Sequence, residues 1–498
     1  MQLASVFAIA AVALATVSVG TLGLRMSRAT SDFYVAGRAI TPRRNASAIA
    51  GEYLSAASFL GVAGLVWQRG IDILWFPIGY TVGYLVLLVL IAAPLRRSGA
   101  YTLSDFAELR MESRPLRTFA SVLTLGIAIL YLLPQLQGAG LALRQATGWP
   151  TWVGAAVVVV VVFIAVAAGG MRSITLVQAM QYWIKLTAIA IPAFVLLAIW
   201  ARGHTGEVDF GDWAIPRTDP IGLYTTYSTM LALCLGTMGL PHVLVRFYTN
   251  PDGRDARRTT VGVIGLLAVF YLFPPVYGVL GRLHLPQLAP GTRLDTMALQ
   301  LPAAMTDGLL ATVLTAILAG GAFAAFLSTT SGLAVSVAGV IDQDVLRPLL
   351  ARRTGDDARG ATSYRWASAL AVVIPFVLSR VLEPLGLATT VTLAFAVAAS
   401  TFAPLLVLGV WWPRLSTTGA AAGLAVGTAC ALVSLGSAFL RWTPEGWAGA
   451  VIGQPAAWSA PLAFTTMVVV SRLTPHRRPP HTNRTLNRLH TPESLLPP

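Results

Sequence analysis

Thirteen stretches of predominantly apolar residues run through this 498-residue chain, and no segment between them exceeds about 25 residues. They lie near 3–24, 45–66, 72–95, 118–143, 151–169, 174–200, 221–244, 260–282, 306–340, 363–382, 386–411, 418–440 and 450–471. About 20 apolar residues in a helix match the hydrocarbon thickness of a bilayer. The solvent for most of this chain must therefore be lipid. Composition agrees, with 55% hydrophobic and 11% charged residues against roughly 25% charged in a soluble domain. This excludes a cytosolic enzyme, a nucleic-acid-binding protein and a secreted domain. The first stretch has no Lys or Arg ahead of it and no obvious cleavage site, so it is expected to be a true span and not a removable signal.

A formal net charge of +14 comes from 35 basic against 21 acidic residues, and the only lysine is Lys185. The arginines sit in the short connecting segments. When the segments are assigned alternately to two sides, 26 arginines fall on one side and 8 on the other. By the positive-inside rule the rich side is cytoplasmic. Thirteen spans then put the N-terminus outside and the Pro-rich, polar tail from about residue 473 inside, where it is expected to be disordered. Cys234 and Cys430 lie in apolar runs and form neither a metal motif nor a disulfide framework. The chain has no phosphate-binding loop, no extended GxGxxG and no HExxH, and no nucleophile with a base. An ATP motor and a membrane enzyme are excluded on that reading, and no cofactor is expected. Asn45-Ala-Ser47 and Asn483-Arg-Thr485 match the glycosylation pattern, but both fall on the cytoplasmic side and are read as chance.

Irregular backbone in a membrane is tolerated only where it lines a cavity, and paired interrupted helices mark transport sites. The second stretch, NASAIAGEYLSAASFLGVAG, combines Gly51 with serines and a carboxylate. The seventh, YTTYSTMLALCLGTMGLPHVLVRF, packs Gly236, Gly239 and Pro241 into six residues. Five spans separate the two, the offset of a five-plus-five inverted repeat. The alternative is that these small residues only serve close helix packing. In the ninth stretch, Ser328, Thr329, Thr330 and Ser331 are consecutive hydroxyls. They either bond back to their own helix or offer neutral oxygens to a hard cation.

The wording of several segments is similar to the sodium:solute symporter family. SDFYVAGR (31–38), AGEYLSAASFLG (50–61), YTLSDFAELR (101–110), GLPHVLVRF (239–247) and LAFAVAASTFAPLL (393–406) carry the resemblance, from about residue 31 to about 425. The closest wording is that of the cation–acetate and monocarboxylate permease branch. The resemblance implies an all-α polytopic membrane protein with a LeuT-type inverted repeat. Residues 1–24 would form an extra N-terminal helix, 25–411 the ten-helix core, 412–472 two further spans and 473–498 the tail. It also implies a Na⁺ site with hydroxyl ligands on Ser328 and Thr329 and carbonyl ligands on Ala325, Gly51 and Leu54. Hydroxyls at these positions tilt the coupling ion towards Na⁺ over H⁺.

Ser58 stands where the family's sugar transporters carry a sugar-contacting glutamine, which speaks against a sugar. A small carboxylate would be held by helix-end N–H groups and hydroxyls. The candidates are Ser55, Ser58 and Thr237, with Gly236 and Gly239 exposing backbone, and Tyr131 and Gln135 of the fourth span.

Ionisable residues at membrane depth are functional candidates. Glu52 follows Gly51 and occupies the place of a branch aspartate; it lends charge to the cation site, carries a proton, or is a hydrogen-bonded structural acid. Gln178, Gln181 and Lys185 share one helix face, and Lys185 departs from the branch pattern. It either pairs with Glu52 or snorkels into a cytoplasmic vestibule. His242 and Arg246, at i and i+4, are expected to form a cytoplasmic gate or anchor.

The expected function is symport of a short-chain monocarboxylate (acetate, propionate or pyruvate) with Na⁺ across the inner cell membrane, with lipid as surroundings and no obligate protein partner. The alternatives are H⁺ coupling, or another solute such as proline or pantothenate. A membrane sensor on the same scaffold is disfavoured by the brevity of the tail.

Overall fold

A computed structural model describes residues 2–22, 35–203, 210–287, 293–347, 349, 360–382, 385–442 and 444–495. Ser31 to Tyr34 of SDFYVAGR, and the boundary expected near residue 24, lie outside them. All regular structure among the described residues is helical.

Ten helices are long and apolar enough to cross a membrane, and one bent pair makes eleven. Two of the ten cannot be single spans. A straight helix over Thr151–Gly203, with 53 residues, would be about 80 Å long, far beyond a hydrocarbon core of about 30 Å. Gly170 (φ 53, ψ −144) breaks it. The chain doubles back there, because a Cβ on Gly20 would lie within 4 Å of both Ala165 and Val177. The stretch Ala57–Leu90 is broken in the same conformation at Gly70 (φ 73, ψ −144). Glycine alone enters this region without steric cost. Dividing both stretches yields the thirteen spans read from hydropathy.

The elements that position the site are α1 (Gln2–Thr21), α2 (Pro42–Tyr53), α3 (Val62–Arg69), α4 (Trp75–Leu90), α5 (Leu103–Met111), α6 (Arg114–Thr147) and α7 (Thr151–Gly203). They continue with α8 (Pro220–Gly239), α9 (Pro241–Val245), α10 (Gly253–Phe270), α11 (Phe273–His284), α12 (Gly308–Val340) and α13 (Gly360–Val381). The chain ends with α14 (Leu387–Ser400), α15 (Phe402–Trp411), α16 (Thr417–Phe439), α17 (Ala456–Leu473) and α18 (Thr482–His490). Leu3, Phe7, Leu14, Phe194 and Leu272 are exposed, whereas Glu52, Lys185 and Arg246 are buried. Apolar-outside, polar-inside is the arrangement lipid selects, since polar side chains there need partners within the protein.

The connecting segments sort into two faces as the alternating count requires. On one, Arg38 donates to Gly99 O at 2.7 Å, Arg96 to the carbonyls of Asn250 and Pro251, and Arg117 pairs with Asp344 at 2.7 Å. On the other, Asp72 accepts from the Arg217 backbone at 3.1 Å, Tyr224 donates to Gln454 O at 2.9 Å, and Gln2, Gln145 and Gln300 line one cavity.

The tail departs from expectation. It is not free along its described length: α18 lies on the arginine-rich face. Glu493 pairs with Arg97 at 3.3 Å and accepts from Gly253 N at 2.8 Å. His490 Nε2 meets Val410 O at 2.9 Å, and Leu489 is fully buried. Its composition is polar enough for disorder, but the surface it covers offers ionic and backbone partners.

Candidate functional site

The site forms where α2 stops. Leu54 leaves the helical region (φ −72, ψ 82), and Ser55 N bonds Tyr53 O at 2.8 Å instead of reaching back to Gly51. The helix resumes through a π-helical turn at Ala57–Gly61. The carbonyl of Gly51 is thereby released from helical bonding. The second break lies between α8 and α9, bent by 42° at Leu240, where Pro241 has no N–H to continue the ladder.

The expected cation ligands do converge. Ser328 Oγ of α12 donates to Gly51 O at 2.7 Å and approaches Ala325 O at 3.2 Å, and Thr329 Oγ1 donates to Glu52 O at 2.6 Å. Of the four consecutive hydroxyls, Ser331 simply bonds back to Leu327 O at 2.6 Å. Among the oxygens sits the ammonium of Lys185. Its Nζ donates to Leu54 O at 2.7 Å, to Ser328 Oγ at 2.8 Å and to Gly51 O. Lys185 is fully buried, so it does not snorkel, and its bonds go to neutral oxygens and not to Glu52.

Glu52 pairs with Arg246, at 2.6 Å from Nε, with both side chains almost wholly buried. The same guanidinium donates to Thr175 Oγ1 at 2.8 Å and to Gln178 Oε1. Gln178 Nε2 in turn donates to Ser328 O at 2.8 Å. Arg246, expected with His242 as a cytoplasmic gate or anchor, is buried: the bend after α8 carries it into the interior, where it ties both broken helices to α7. His242 is buried too, with its ring edge-on to Tyr131 at 5.0 Å between centroids. Gln181 turns away from the site and donates to Thr16 of α1 at 2.9 Å.

On the other side of the unwound segment lies a cluster of aromatic rings. Phe395 of α14 is its hub, 6.0 Å from Tyr53, 5.3 Å from Tyr80 and 6.1 Å from Tyr131 between ring centroids. Tyr80 stacks on Tyr271 at 5.7 Å, and Tyr84 meets Tyr53 at 4.8 Å. Tyr53 OH bonds Thr237 Oγ1 at 2.9 Å, Ser58 Oγ bonds Tyr271 OH at 2.8 Å, and Gln135 Oε1 accepts from Ala56 N at 3.1 Å. The phenol oxygens of Tyr80 and Tyr84 and both ring nitrogens of His242 are buried without a protein partner. Buried polar atoms are nearly always satisfied, so these are the groups a polar ligand would meet.

Seven expected substrate residues therefore divide. Ser55, Ser58, Tyr131, Gln135 and Thr237 line this region. Gly236 and Gly239 do not, because a Cβ on either would strike the carbonyl of Phe395 or Ala398; they let α8 approach α14, and packing is their role. Sequence reasoning passed over Tyr53, Tyr80, Tyr84, Tyr271 and Phe395, although Tyr80 and Tyr84 stand at i and i+4 and so share a helix face. It also passed over Gly332 of α12, where a Cβ would collide with the Glu52 carboxylate, and over Asn45. That residue donates to Arg246 O at 3.0 Å and Asn250 Oδ1 at 2.9 Å, fastening the start of α2 to the segment after α9. Fully buried, Asn45 is no glycan acceptor in this fold.

The sodium:solute symporter family model matches residues 33–427. The chain belongs to the sodium:solute symporter family. It is a multi-pass membrane transporter and not an enzyme. An uncharacterised symporter of Bacillus subtilis, YwcA, is 31% identical over 458 residues, with 88% of each chain covered. A monocarboxylic acid transporter of Corynebacterium glutamicum is 32% identical over 485 residues, covering 89% of this chain and 87% of that one. Among solved structures, a substrate-bound, outward-open Na⁺-coupled sialic acid symporter superposes with a TM-score of 0.73 at 14% identity, covering 94% of this chain and 97% of that one. A nucleobase–cation symport transporter in a closed conformation with bromovinylhydantoin bound gives 0.53 at 15% identity, covering 92% and 98%. These establish the LeuT-type fold for this symporter.

Proposed function

We propose that this symporter takes up a short-chain monocarboxylate such as acetate, propionate or pyruvate into the cell. The observation that carries the reading is the composition of the buried site. Two basic side chains, Lys185 and Arg246, stand beside the unwound segment with one acid, Glu52, a surplus of one positive charge when all three are ionised. A buried uncompensated charge is costly, and a monovalent anion balances it. Tyr80 and Tyr84 supply hydroxyl donors for a carboxylate, while the Phe395 face suits a short apolar chain. The monocarboxylic acid transporter relative supports the same substrate class.

The arginine-rich face is read as cytoplasmic from its charge. Alternating access in this fold is a rocking of the bundle holding the broken helices against the rest. Na⁺ is the coupling ion that the family's name implies, and H⁺ is the alternative. Cotransport with a monovalent anion gains from the membrane potential, about 2.3 kcal/mol per charge per 100 mV, only if more than one cation accompanies it.

The test is accumulation of labelled acetate in proteoliposomes under an imposed Na⁺ or H⁺ gradient, beside labelled proline and pantothenate. Concentrative uptake of acetate is expected. Uptake of proline or pantothenate in its place overturns the reading.

A further inference from the structure

The oxygens that the family resemblance assigns to Na⁺ do not fit a metal ion in this chain. An ammonium has three donors and no acceptor, and the three oxygens around Lys185 Nζ use all of them: Leu54 O at 2.7 Å, Ser328 Oγ at 2.8 Å and Gly51 O. The Ser328 hydroxyl spends its own proton on Gly51 O at 2.7 Å, so it meets Nζ as an acceptor. The remaining expected ligands are also engaged within the protein. Thr329 Oγ1 donates to Glu52 O, and Ala325 O faces Ser328. A Na⁺ ion bound to the same oxygens would have to stand where Nζ stands.

The lysine is held there by design of its helix. α7 brings Gln178 and Lys185 to one face, and Gln178 bridges Arg246 and the carbonyl of Ser328. A Cβ on Gly51 would strike the Gln178 carbonyl, so the backbones are close enough for the lysine to cross the gap between α2 and α12. It joins the two halves of the site as an ion would.

We infer that Lys185 is a tethered cation that takes the place of Na⁺ at this site, so that the protein neither binds Na⁺ there nor needs it for uptake. The inference rests on the proposed substrate class and, for the coupling ion of the same site, goes against the Na⁺ that the family's name implies. It accounts for one lysine among 35 basic residues lying at the middle of the membrane.

The test is thermal unfolding of the purified protein in 0–200 mM NaCl against choline chloride at constant ionic strength, on the order of the concentrations that resolve weak ion sites, with labelled acetate uptake run in parallel. The wild-type protein is expected to show the same midpoint in both salts and uptake rates within about twofold. Lys185→Ala removes the ammonium and leaves the oxygens, and should acquire a saturable, Na⁺-specific rise in midpoint; Lys185→Arg should remain indifferent to Na⁺. A saturable Na⁺ response of the wild type overturns the inference, as does a Lys185→Ala variant as blind to Na⁺ as the parent. Should Lys185→Ala not fold, the wild-type titration alone decides. Failure of the monocarboxylate reading would look different: acetate uptake absent, with the salt dependence of unfolding as expected.

Discussion

Arg246 Nε lies 2.6 Å from a Glu52 oxygen, and the two side chains are 1% and 2% exposed. Glu52 immediately precedes the first helix break and Arg246 follows the second, so a single ion pair joins the two interrupted helices that define the fold. Removing one partner of a buried pair leaves an uncompensated charge and costs about 3–5 kcal/mol. Glu52→Gln and Arg246→Met are each expected to lower thermal stability by that order and to abolish uptake. Thermal unfolding in detergent checks this. A midpoint unchanged in either variant contradicts the pairing.

Gly332 is the floor on which the Glu52 carboxylate rests. A methyl group there overlaps it, and overpacking of this kind costs about 1–3 kcal/mol. Gly332→Ala should therefore reproduce, in milder form, the loss of uptake expected on changing Glu52. Expression and uptake measured together check it, with normal uptake as the contrary result.

Tyr80 and Tyr84 separate binding from stability. Their phenol oxygens have no protein partner, so Tyr80→Phe and Tyr84→Phe remove no bond from the protein and should leave the unfolding midpoint unchanged or slightly raised. If the hydroxyls hold a carboxylate, each change removes a hydrogen bond to a charged group, about 1.5–3 kcal/mol, and KM for acetate rises about tenfold or more. KM unchanged in both variants would remove the tyrosines from the site.

The docked tail predicts resistance where a free tail would be cut. Arg488 contacts Gly99, Thr482 accepts from Arg110, and Glu493 holds Arg97. Trypsin should cut slowly after Arg484 and Arg488 in the folded protein, and truncation after Arg478 should lower the unfolding midpoint by several degrees, as expected for losses of about 1–2 kcal/mol. Rapid trimming with no loss of stability would show that the tail does not dock.

Much of this architecture is legible in the chain. Hydropathy located thirteen spans because lipid imposes one length on every crossing, and arginine counting grouped the segments later found touching, such as Arg38 with Gly99 and Arg117 with Asp344. The break at Gly51–Leu54 and the convergence of Ser328 and Thr329 on it followed from motif wording. Partner choice did not. The sequence offers Lys185 as the counter-charge of Glu52, and only the bend at Leu240 brings Arg246 to it instead. With an effective dielectric constant near 20, two like charges 4 Å apart repel by about 4 kcal/mol, which is why one residue's placement changes the reading of the whole cation site. Gly236 and Gly239 illustrate the reverse error: a glycine-rich break reads alike whether it exposes backbone to a ligand or to a neighbouring helix.

The most direct test of the account is counterflow in proteoliposomes loaded with unlabelled pyruvate and diluted into labelled pyruvate, with no ion gradient imposed. Substrate exchange is then read independently of the coupling ion. The account predicts transient accumulation of label, suppressed by external acetate and propionate and weakened in Tyr84→Phe. No transient with folded wild-type protein, or one that acetate and propionate leave untouched, would contradict it.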